Sequence, residues 1–209
     1  MTLDRLRPVA ERALTPFVTA ADRVGLTPDG VSVVAFGVAA AAAAAYTVAG
    51  RPVAGVGPDP LFYLFGAVLV FLNGWLDLLD GALARRQGTD SRAGDLLDHV
   101  VDRYADLVIV AGLAAGTGRY ALGLLAVTGV LMTSYLGTQA QAVGLDRVYG
   151  GVVGRADRLA ITGVVTAVAA VAPGTVYGLT AVGWLLVFLA TVGHLTALQR
   201  FYHAMAAVA

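Results

Sequence analysis

Four aspartates with helical spacing are the residues of this chain that could best do chemistry. Asp77 and Asp80 lie three residues apart, and Asp98 and Asp102 lie four residues apart. On α-helices, both spacings place the two members of a pair on one face. If the segment between the pairs reverses the chain direction, the two helices run antiparallel and the four carboxylates converge. Because like charges repel strongly at low dielectric constant, this arrangement predicts bound cations.

The ligand type limits which cations are expected. The chain contains no cysteine, and a set of carboxylate oxygens favours Mg²⁺, Mn²⁺ or Ca²⁺ over Zn²⁺. Four carboxylates could hold two divalent ions roughly 3.5–4 Å apart, which is the spacing used in two-metal phosphoryl transfer. We therefore expect two Mg²⁺ or Mn²⁺ ions at the aspartate pairs.

Two glycines and an arginine accompany the aspartates. Gly81 directly follows the second aspartate, and Gly94 precedes the third by four residues. The lack of a side chain at these positions lets a ligand or a neighbouring backbone approach closely. Arg85 follows one helical turn after Gly81 and could bind a phosphate group through two parallel hydrogen bonds.

The elements that must position these residues are membrane helices. Hydrophobic residues make up 58% of the chain and charged residues only 13%, with a mean hydropathy of +0.76. This composition predicts an all-α integral membrane protein with six transmembrane helices, and residues 1–209 form one membrane domain. An interfacial helix is expected over about residues 4–23. The predicted spans cover about 31–49, 61–84, 93–117, 120–143, 156–172 and 176–199.

The arginines predict the orientation. All fourteen basic residues are arginines, and eleven of them fall in the N-terminal segment, the second and fourth interhelical segments and the C-terminal end. The segments on the other side hold only Arg51 and Arg119, while Arg103 lies within a span. The positive-inside rule then places both termini and the aspartates on the cytoplasmic side of the cell membrane.

The stretch from Asp77 to Asp102 resembles the signature of the CDP-alcohol phosphotransferase family. That signature reads D-x-x-D-G-x-x-A-R-x8-G-x-x-x-D-x-x-x-D, and every fixed position is matched across 26 residues. The resemblance implies an enzyme that transfers a phosphatidyl-type group from a CDP-linked lipid to an alcohol and releases CMP. It also implies a homodimer.

The resemblance further implies roles for individual residues. The four aspartates of the signature would bind the metal ions, and the last of them would also act as the base. The implied metal ligands are Asp77, Asp80, Asp98 and Asp102, and the implied base is Asp102. The residues implied to contact or shape the CDP-lipid site are Asp80, Gly81, Ala84, Arg85 and Gly94.

Three arginines before the fifth span bear on the acceptor. Arg147, Arg155 and Arg158 could bind the phosphate of a small polyol phosphate, or they could serve membrane topology alone. The segment 154–159 looks like E-R-A-E-R-L of family members that use inositol phosphate, although Gly154 and Asp157 replace its acidic residues. The S-Y-x-R-A-R stretch of those members has no arginines here, at 134–139. Glycerol phosphate and inositol phosphate therefore both remain expected acceptors, with an unphosphorylated alcohol such as serine as the alternative.

Two other classes of membrane protein use clustered aspartates. A membrane prenyltransferase binds Mg²⁺-diphosphate between helices, but six spans are few for that fold and Ala84 and Arg85 would have no role in it. A divalent-cation carrier is disfavoured because the aspartates lie near one membrane face, whereas transporter sites lie near the midplane. We expect CDP-lipid, an acceptor and membrane lipids as partners. The net charge of zero gives no reason to expect nucleic acid.

Overall fold

The computed structural model describes residues 7–89, 91–145 and 153–208, and these residues are almost entirely α-helical. The all-α class predicted from the sequence is thus confirmed. The elements in chain order are α1 (Arg7–Arg23), α2 (Pro28–Gly50), α3 (Leu61–Gln87), α4 (Arg92–Thr117), α5 (Tyr120–Ala142), α6 (Arg155–Val171), β1 (Thr175–Val176), β2 (Leu179–Thr180) and α7 (Ala181–Val208).

Local sequence signals explain where the helices that carry the aspartates begin and end. The side chains of Thr27 and Ser91 each accept a hydrogen bond from the backbone N–H three residues later, which caps the starts of α2 and α4. Gly88 and Gly118 adopt left-handed φ angles of 62° and 66° and end α3 and α4. α3 therefore ends at Gly88 and α4 begins after the Ser91 cap, so only a short segment separates the two helices that carry the aspartate pairs.

The last predicted span, 176–199, begins and ends earlier in the chain than the corresponding helix, α7. β1 and β2 pair antiparallel around a turn at Tyr177 and Gly178, and α7 begins only after this hairpin. Both turn residues have positive φ angles, 50° and 75°, which helical backbone does not allow. Trp184 Nε1 donates a 2.9 Å hydrogen bond to the last carbonyl of β1, so the hairpin is tied to the first turn of α7.

Among the described residues, four helices are long and apolar enough to cross a membrane: α2, α3, α5 and α7. α4 is 26 residues long but carries six charged residues in its N-terminal part. α6 has 17 residues and begins with charged side chains. The apolar helices support a membrane protein, whereas α4 and α6 combine an apolar half with the charged residues of interest.

The helices pack through small residues, as is common in lipid. α2 contacts both α3 and α4, α5 pairs with α7, and α6 lies between α3 and α7. A Cβ atom added at Gly112 of α4 would clash with the backbone of Ala43 in α2, and one at Gly116 would clash with the backbone at Tyr46. This close approach sets the position of α4 relative to α2 and α3.

We expect Gly112→Ala to destabilise the protein by about 1–3 kcal/mol, because the added methyl group forces α4 away from α2. Thermal unfolding of the purified protein in detergent measures the effect. Gly37→Ala in α2 is the matched control, since its Cβ would have no neighbour within 4 Å. The control should be neutral or slightly stabilising because alanine favours helix. Equal stability of the two variants would contradict the packing argument.

α1 braces the end of α3 that carries the aspartates. Its buried Leu14 and Val18 belong to a small apolar cluster that also contains Leu83 of α3. Asp22 of α1 accepts hydrogen bonds from the side chains of Gln87 and Arg86, and these bonds hold the pKa of Asp22 below its usual value. The predicted interfacial helix at about 4–23 is thus a helix from residue 7 onward, packed on α3.

Candidate active site

Three of the four signature aspartates form one cluster between α3 and α4. Asp77, Asp98 and Asp102 each place a carboxylate oxygen within 4.8 Å of the other two, and all three side chains are partly buried. The helical spacing accounts for this, since Asp98 and Asp102 share a face of α4 and Asp77 faces them from α3. Three carboxylates at this range suit a hard divalent cation, as the sequence predicted.

Asp80 belongs to the same end of α3 but is not part of this group of three. Its side chain is buried, and its two oxygens accept hydrogen bonds from Ser32 Oγ at 2.7 Å and from the Gly81 backbone N–H at 2.6 Å. The sequence predicted convergence of all four carboxylates. The structure instead gives Asp80 a partner from α2, because α2 packs directly against α3.

Arg155, in the first turn of α6, reaches into the aspartate cluster. Its Nη1 lies 2.5 Å from Asp77 Oδ2, and its Nη2 lies 2.8 Å from Asp102 Oδ1. Both are ion pairs, but the Nε and Nη2 groups have no well-aligned hydrogen-bond acceptor among the described residues. The arginine therefore places a buried positive charge, with N–H groups still to be satisfied, beside the carboxylates.

Asp106 contacts three arginines of the site. One helical turn beyond Asp102 on α4, its side chain is 5% exposed. Its Oδ2 accepts a 2.8 Å hydrogen bond from Arg158 Nη2 and lies 3.2 Å from Arg103 Nη1, and its Oδ1 lies 3.5 Å from Arg155 Nε. The pairing with Arg103 three residues earlier follows from the sequence, whereas both contacts with α6 depend on tertiary structure.

The residues expected near the nucleotide lie in the last turns of α3 and the first turn of α4. Arg85 is exposed, and its Nη1 is 3.6 Å from where a Cβ of Gly81 would lie, so no described neighbour requires glycine there. Ala84 is partly buried one turn from Gly81. A Cβ at Gly94 would lie 3.3 Å from Ser91 Oγ, which is tight, so the N-terminal cap of α4 gives this glycine a structural reason.

Three further residues bear on the predicted site. Arg147 is outside the described residues. Ser32 was missed because no local pattern connects it with Asp80, which is 48 residues away. Asp106 lies four residues after Asp102, so the sequence already places it on the same helical face.

The opposite end of the bundle contains the loops that the sequence predicts on the side of the membrane away from the cytoplasm. Arg51 Nη1 donates to the hydroxyl of Tyr120 at 2.8 Å, and Arg119 Nη2 donates to the carbonyl of Gly178 at 3.1 Å. The first bond joins the end of α2 to the start of α5, and the second joins the turn between α4 and α5 to the β-hairpin. The aspartates and the arginines Arg51 and Arg119 thus lie at different ends of the bundle.

Apolar helices around a buried group of carboxylates and arginines define a membrane-embedded enzyme. The sequence model of the CDP-alcohol phosphatidyltransferase family matches residues 26–199, and the chain belongs to this family. It is accordingly a transferase, which confirms the resemblance carried by the signature. The prenyltransferase and cation-carrier alternatives are not supported.

Relatives over most of the chain are inositol phosphate lipid synthases. Archaetidylinositol phosphate synthase of Methanothermobacter thermautotrophicus is 32% identical over 207 residues, which cover 96% of this chain and 93% of that protein. Phosphatidylinositol phosphate synthase of Mycobacteroides abscessus is 36% identical over 163 residues, which cover 74% of this chain and 68% of that protein.

Solved structures of phosphatidylinositol phosphate synthase from Mycobacterium tuberculosis share the fold. The complex with manganese and citrate matches with a TM-score of 0.73 at 27% identity, covering 91% of this chain and 88% of that one. The structure with CDP-DAG bound matches with a TM-score of 0.72 at 28% identity, covering 92% and 94%.

Proposed function

We propose that this enzyme transfers a phosphatidyl-type group from a CDP-lipid to a hydroxyl of a polyol phosphate, with inositol phosphate as the favoured acceptor, and releases CMP. The observation that carries the proposal is the contact of Arg155 with Asp77 and Asp102. It places a guanidinium group suited to a phosphorylated acceptor beside the carboxylates suited to the donor's metal ions.

The carboxylate cluster fits divalent cations. Asp77, Asp98 and Asp102 offer oxygens within 4.8 Å of one another, and Asp80 lies close enough to interact electrostatically with two of them. These four residues would hold the two Mg²⁺ or Mn²⁺ ions, and the related structure with manganese supports this assignment. Bound cations would supply positive charge to neutralise the pyrophosphate of the CDP-lipid.

The donor site is assigned to the end of α3. Asp80, Gly81, Ala84 and Arg85 lie in consecutive turns of α3, where burial decreases from the buried Asp80 to the exposed Arg85, and Gly94 lies in the first turn of α4. Arg85 would hold a phosphate oxygen of the donor through its guanidinium fork. Gly81 leaves room for the ligand because the nearest described side-chain atom, Arg85 Nη1, is 3.6 Å from where a Cβ would lie.

Transfer then consists of one substitution at phosphorus. The acceptor hydroxyl forms a new bond to the lipid-side phosphorus, and the bond from that phosphorus to the CMP oxygen breaks. Asp102 is proposed to take the hydroxyl proton, since its carboxylate belongs to the metal cluster and also contacts Arg155, which is proposed to bind the acceptor phosphate. The other residues contribute by holding the reactants in place and stabilising charge.

The acceptor assignment rests on Arg155 and Arg158, with Arg147 as a third candidate. The inward-facing arginines of α6 share one helical face, and their guanidinium groups match phosphate oxygens. Relatives named for inositol phosphate products favour that acceptor over glycerol phosphate, even though the two arginines of the S-Y-x-R-A-R stretch are missing. Glycerol phosphate is the second candidate.

The membrane arrangement is part of the same proposal. Six helices, α2 to α7, would cross the membrane, with the termini and the aspartate end in the cytoplasm. The arginine distribution supports this orientation, as does the separation of Arg51 and Arg119 from the cluster. We further propose that the chain is a single membrane domain that acts as a homodimer.

An acceptor panel tests the function. Purified protein in CDP-lipid micelles with Mn²⁺ is given inositol phosphate, glycerol phosphate, free inositol or serine, and CMP release is measured. We expect the highest kcat/KM with inositol phosphate. Faster turnover with an unphosphorylated acceptor would contradict the acceptor assignment, and absence of CMP release with every acceptor would contradict the reaction itself.

Ser32 is expected to matter for the donor because it hydrogen-bonds Asp80. We expect Ser32→Ala to raise the KM for CDP-lipid by about tenfold or more, since a hydrogen bond to a charged group contributes about 1.5–3 kcal/mol. The acceptor KM should change little. Thr47→Val in the same helix is the control, because the Thr47 hydroxyl bonds its own helix at Ala43. Equal donor KM in the two variants would refute the role of Ser32.

A further inference from the structure

Asp106 joins the two arginines of α6 to the end of the aspartate stripe on α4. It lies outside the family signature and outside the group of three carboxylates that suit a metal ion. Its position is fixed by helical geometry, one turn from Asp102 and on the same face. From there its two oxygens reach different arginines, Oδ2 towards Arg158 and Oδ1 towards Arg155.

The carboxylate of Asp106 balances the positive charge of the buried Arg158 side chain. The Arg158 side chain is 11% exposed, and Asp106 is its one carboxylate partner among the described ion pairs. Burying a guanidinium group without a partner is strongly unfavourable. Arg155, by contrast, also has Asp77 and Asp102 as partners. Loss of the Asp106 charge would therefore leave Arg158 unpaired and change Arg155 less.

The contacts also orient the guanidinium groups. Asp106 lies 3.5 Å from Arg155 Nε, at the inner edge of the fork, while the outer nitrogens face Asp77 and Asp102. It contacts Arg158 through Nη2, and Arg158 lines a small cavity together with Thr133 and Thr196. Asp106 thus contacts each guanidinium group on one side, and the other N–H groups of both arginines are directed away from Asp106.

We propose that Asp106 is a positioning residue for the acceptor, acting through Arg158 and Arg155. It holds both guanidinium groups at the distance from Asp102 that the phosphorylated acceptor requires. This inference rests on the proposed assignment of these arginines to the acceptor phosphate. It predicts that Asp106 governs acceptor affinity while the donor and metal sites function without it.

The test separates acceptor from donor parameters. We expect Asp106→Asn to raise the KM for inositol phosphate about tenfold or more, with the KM for CDP-lipid and the Mn²⁺ affinity measured by electron paramagnetic resonance within about twofold of wild type. Asp106→Glu keeps the charge and should recover part of the acceptor affinity. A purely structural role would instead shift the acceptor KM and the donor KM together.

A double-mutant cycle tests whether Asp106 acts through Arg158. If it does, Asp106→Asn combined with Arg158→Lys raises the acceptor KM by less than the product of the single effects. Multiplicative effects would overturn the inference. If wild type releases no CMP, the proposed function fails; if wild type is active and Asp106→Asn leaves the acceptor KM unchanged, only this inference fails.

A charge-balanced double variant tests whether a folding defect explains the effect of Asp106→Asn. Asp106→Asn with Arg103→Gln removes one negative and one positive charge from the same contact, so the net charge of the cluster is conserved. This double variant should show the same rise in acceptor KM. Failure of both Asp106→Asn and the balanced variant to fold would assign Asp106 to stability and reject the positioning role.

Discussion

Asp77→Asn and Asp98→Asn are each expected to reduce CMP release by at least about 10³-fold while the protein still inserts and folds. Both carboxylates belong to the group of three that lies within 4.8 Å, and they come from different helices. Replacing either one removes a ligand charge and unbalances the site that must neutralise the pyrophosphate. Removal of divalent cations with EDTA should have the same effect on wild type.

Asp95→Asn provides the matched control for this prediction. Asp95 is on the same helix as Asp98, is exposed, and is not a member of the cluster. CMP release by this variant should stay close to wild type. Binding of Mn²⁺ measured on all three variants separates loss of metal from loss of fold. Near-normal CMP release from Asp77→Asn or in EDTA would refute the metal-dependent mechanism.

Arg158→Lys is expected to raise the acceptor KM by about 10- to 150-fold, which corresponds to about 1.5–3 kcal/mol. Lysine keeps the charge but loses the planar fork that contacts Asp106 on one side and is proposed to bind phosphate on the other. The KM for CDP-lipid should change little because Arg158 has no described contact with the group formed by Asp77, Asp98 and Asp102. Steady-state kinetics with inositol phosphate measures both constants.

The competing interpretation is that the arginines of α6 only set membrane topology. A lysine serves topology as well as an arginine, so under that interpretation Arg158→Lys would be silent. Arg92→Lys is the control, since Arg92 is exposed at the start of α4, at the same end of the bundle. It should leave both KM values unchanged. An unchanged acceptor KM in Arg158→Lys would assign this arginine to topology.

What the sequence alone determined is the local part of the site. Three- and four-residue spacings on a helix place Asp77 and the Asp98–Asp102 pair on defined faces, and short segments rich in glycine and polar residues separate the apolar helices. The signature from Asp77 to Asp102 was enough to predict the family, because all of its fixed positions fall within α3, α4 and the short segment between them and can be read along the sequence. The sequence did not predict the β-hairpin at Tyr177 and Gly178, because its two turn residues of positive φ give no clear turn signal within an apolar segment.

Only the tertiary structure decided the partners that come from distant helices. Ser32 meets Asp80 because α2 packs against α3, and Arg155 and Arg158 meet Asp106 because α6 packs against α3 with its first turn directed towards the middle of α4. These contacts join residues about fifty positions apart, so no helical period encodes them. They depend on close helix packing, as at Gly112, where the absence of one side chain lets two backbones touch. Spacing along a helix therefore accounts for the cluster of Asp77, Asp98 and Asp102, whereas packing between helices decided that Asp80 bonds Ser32 instead and which arginines the carboxylates meet.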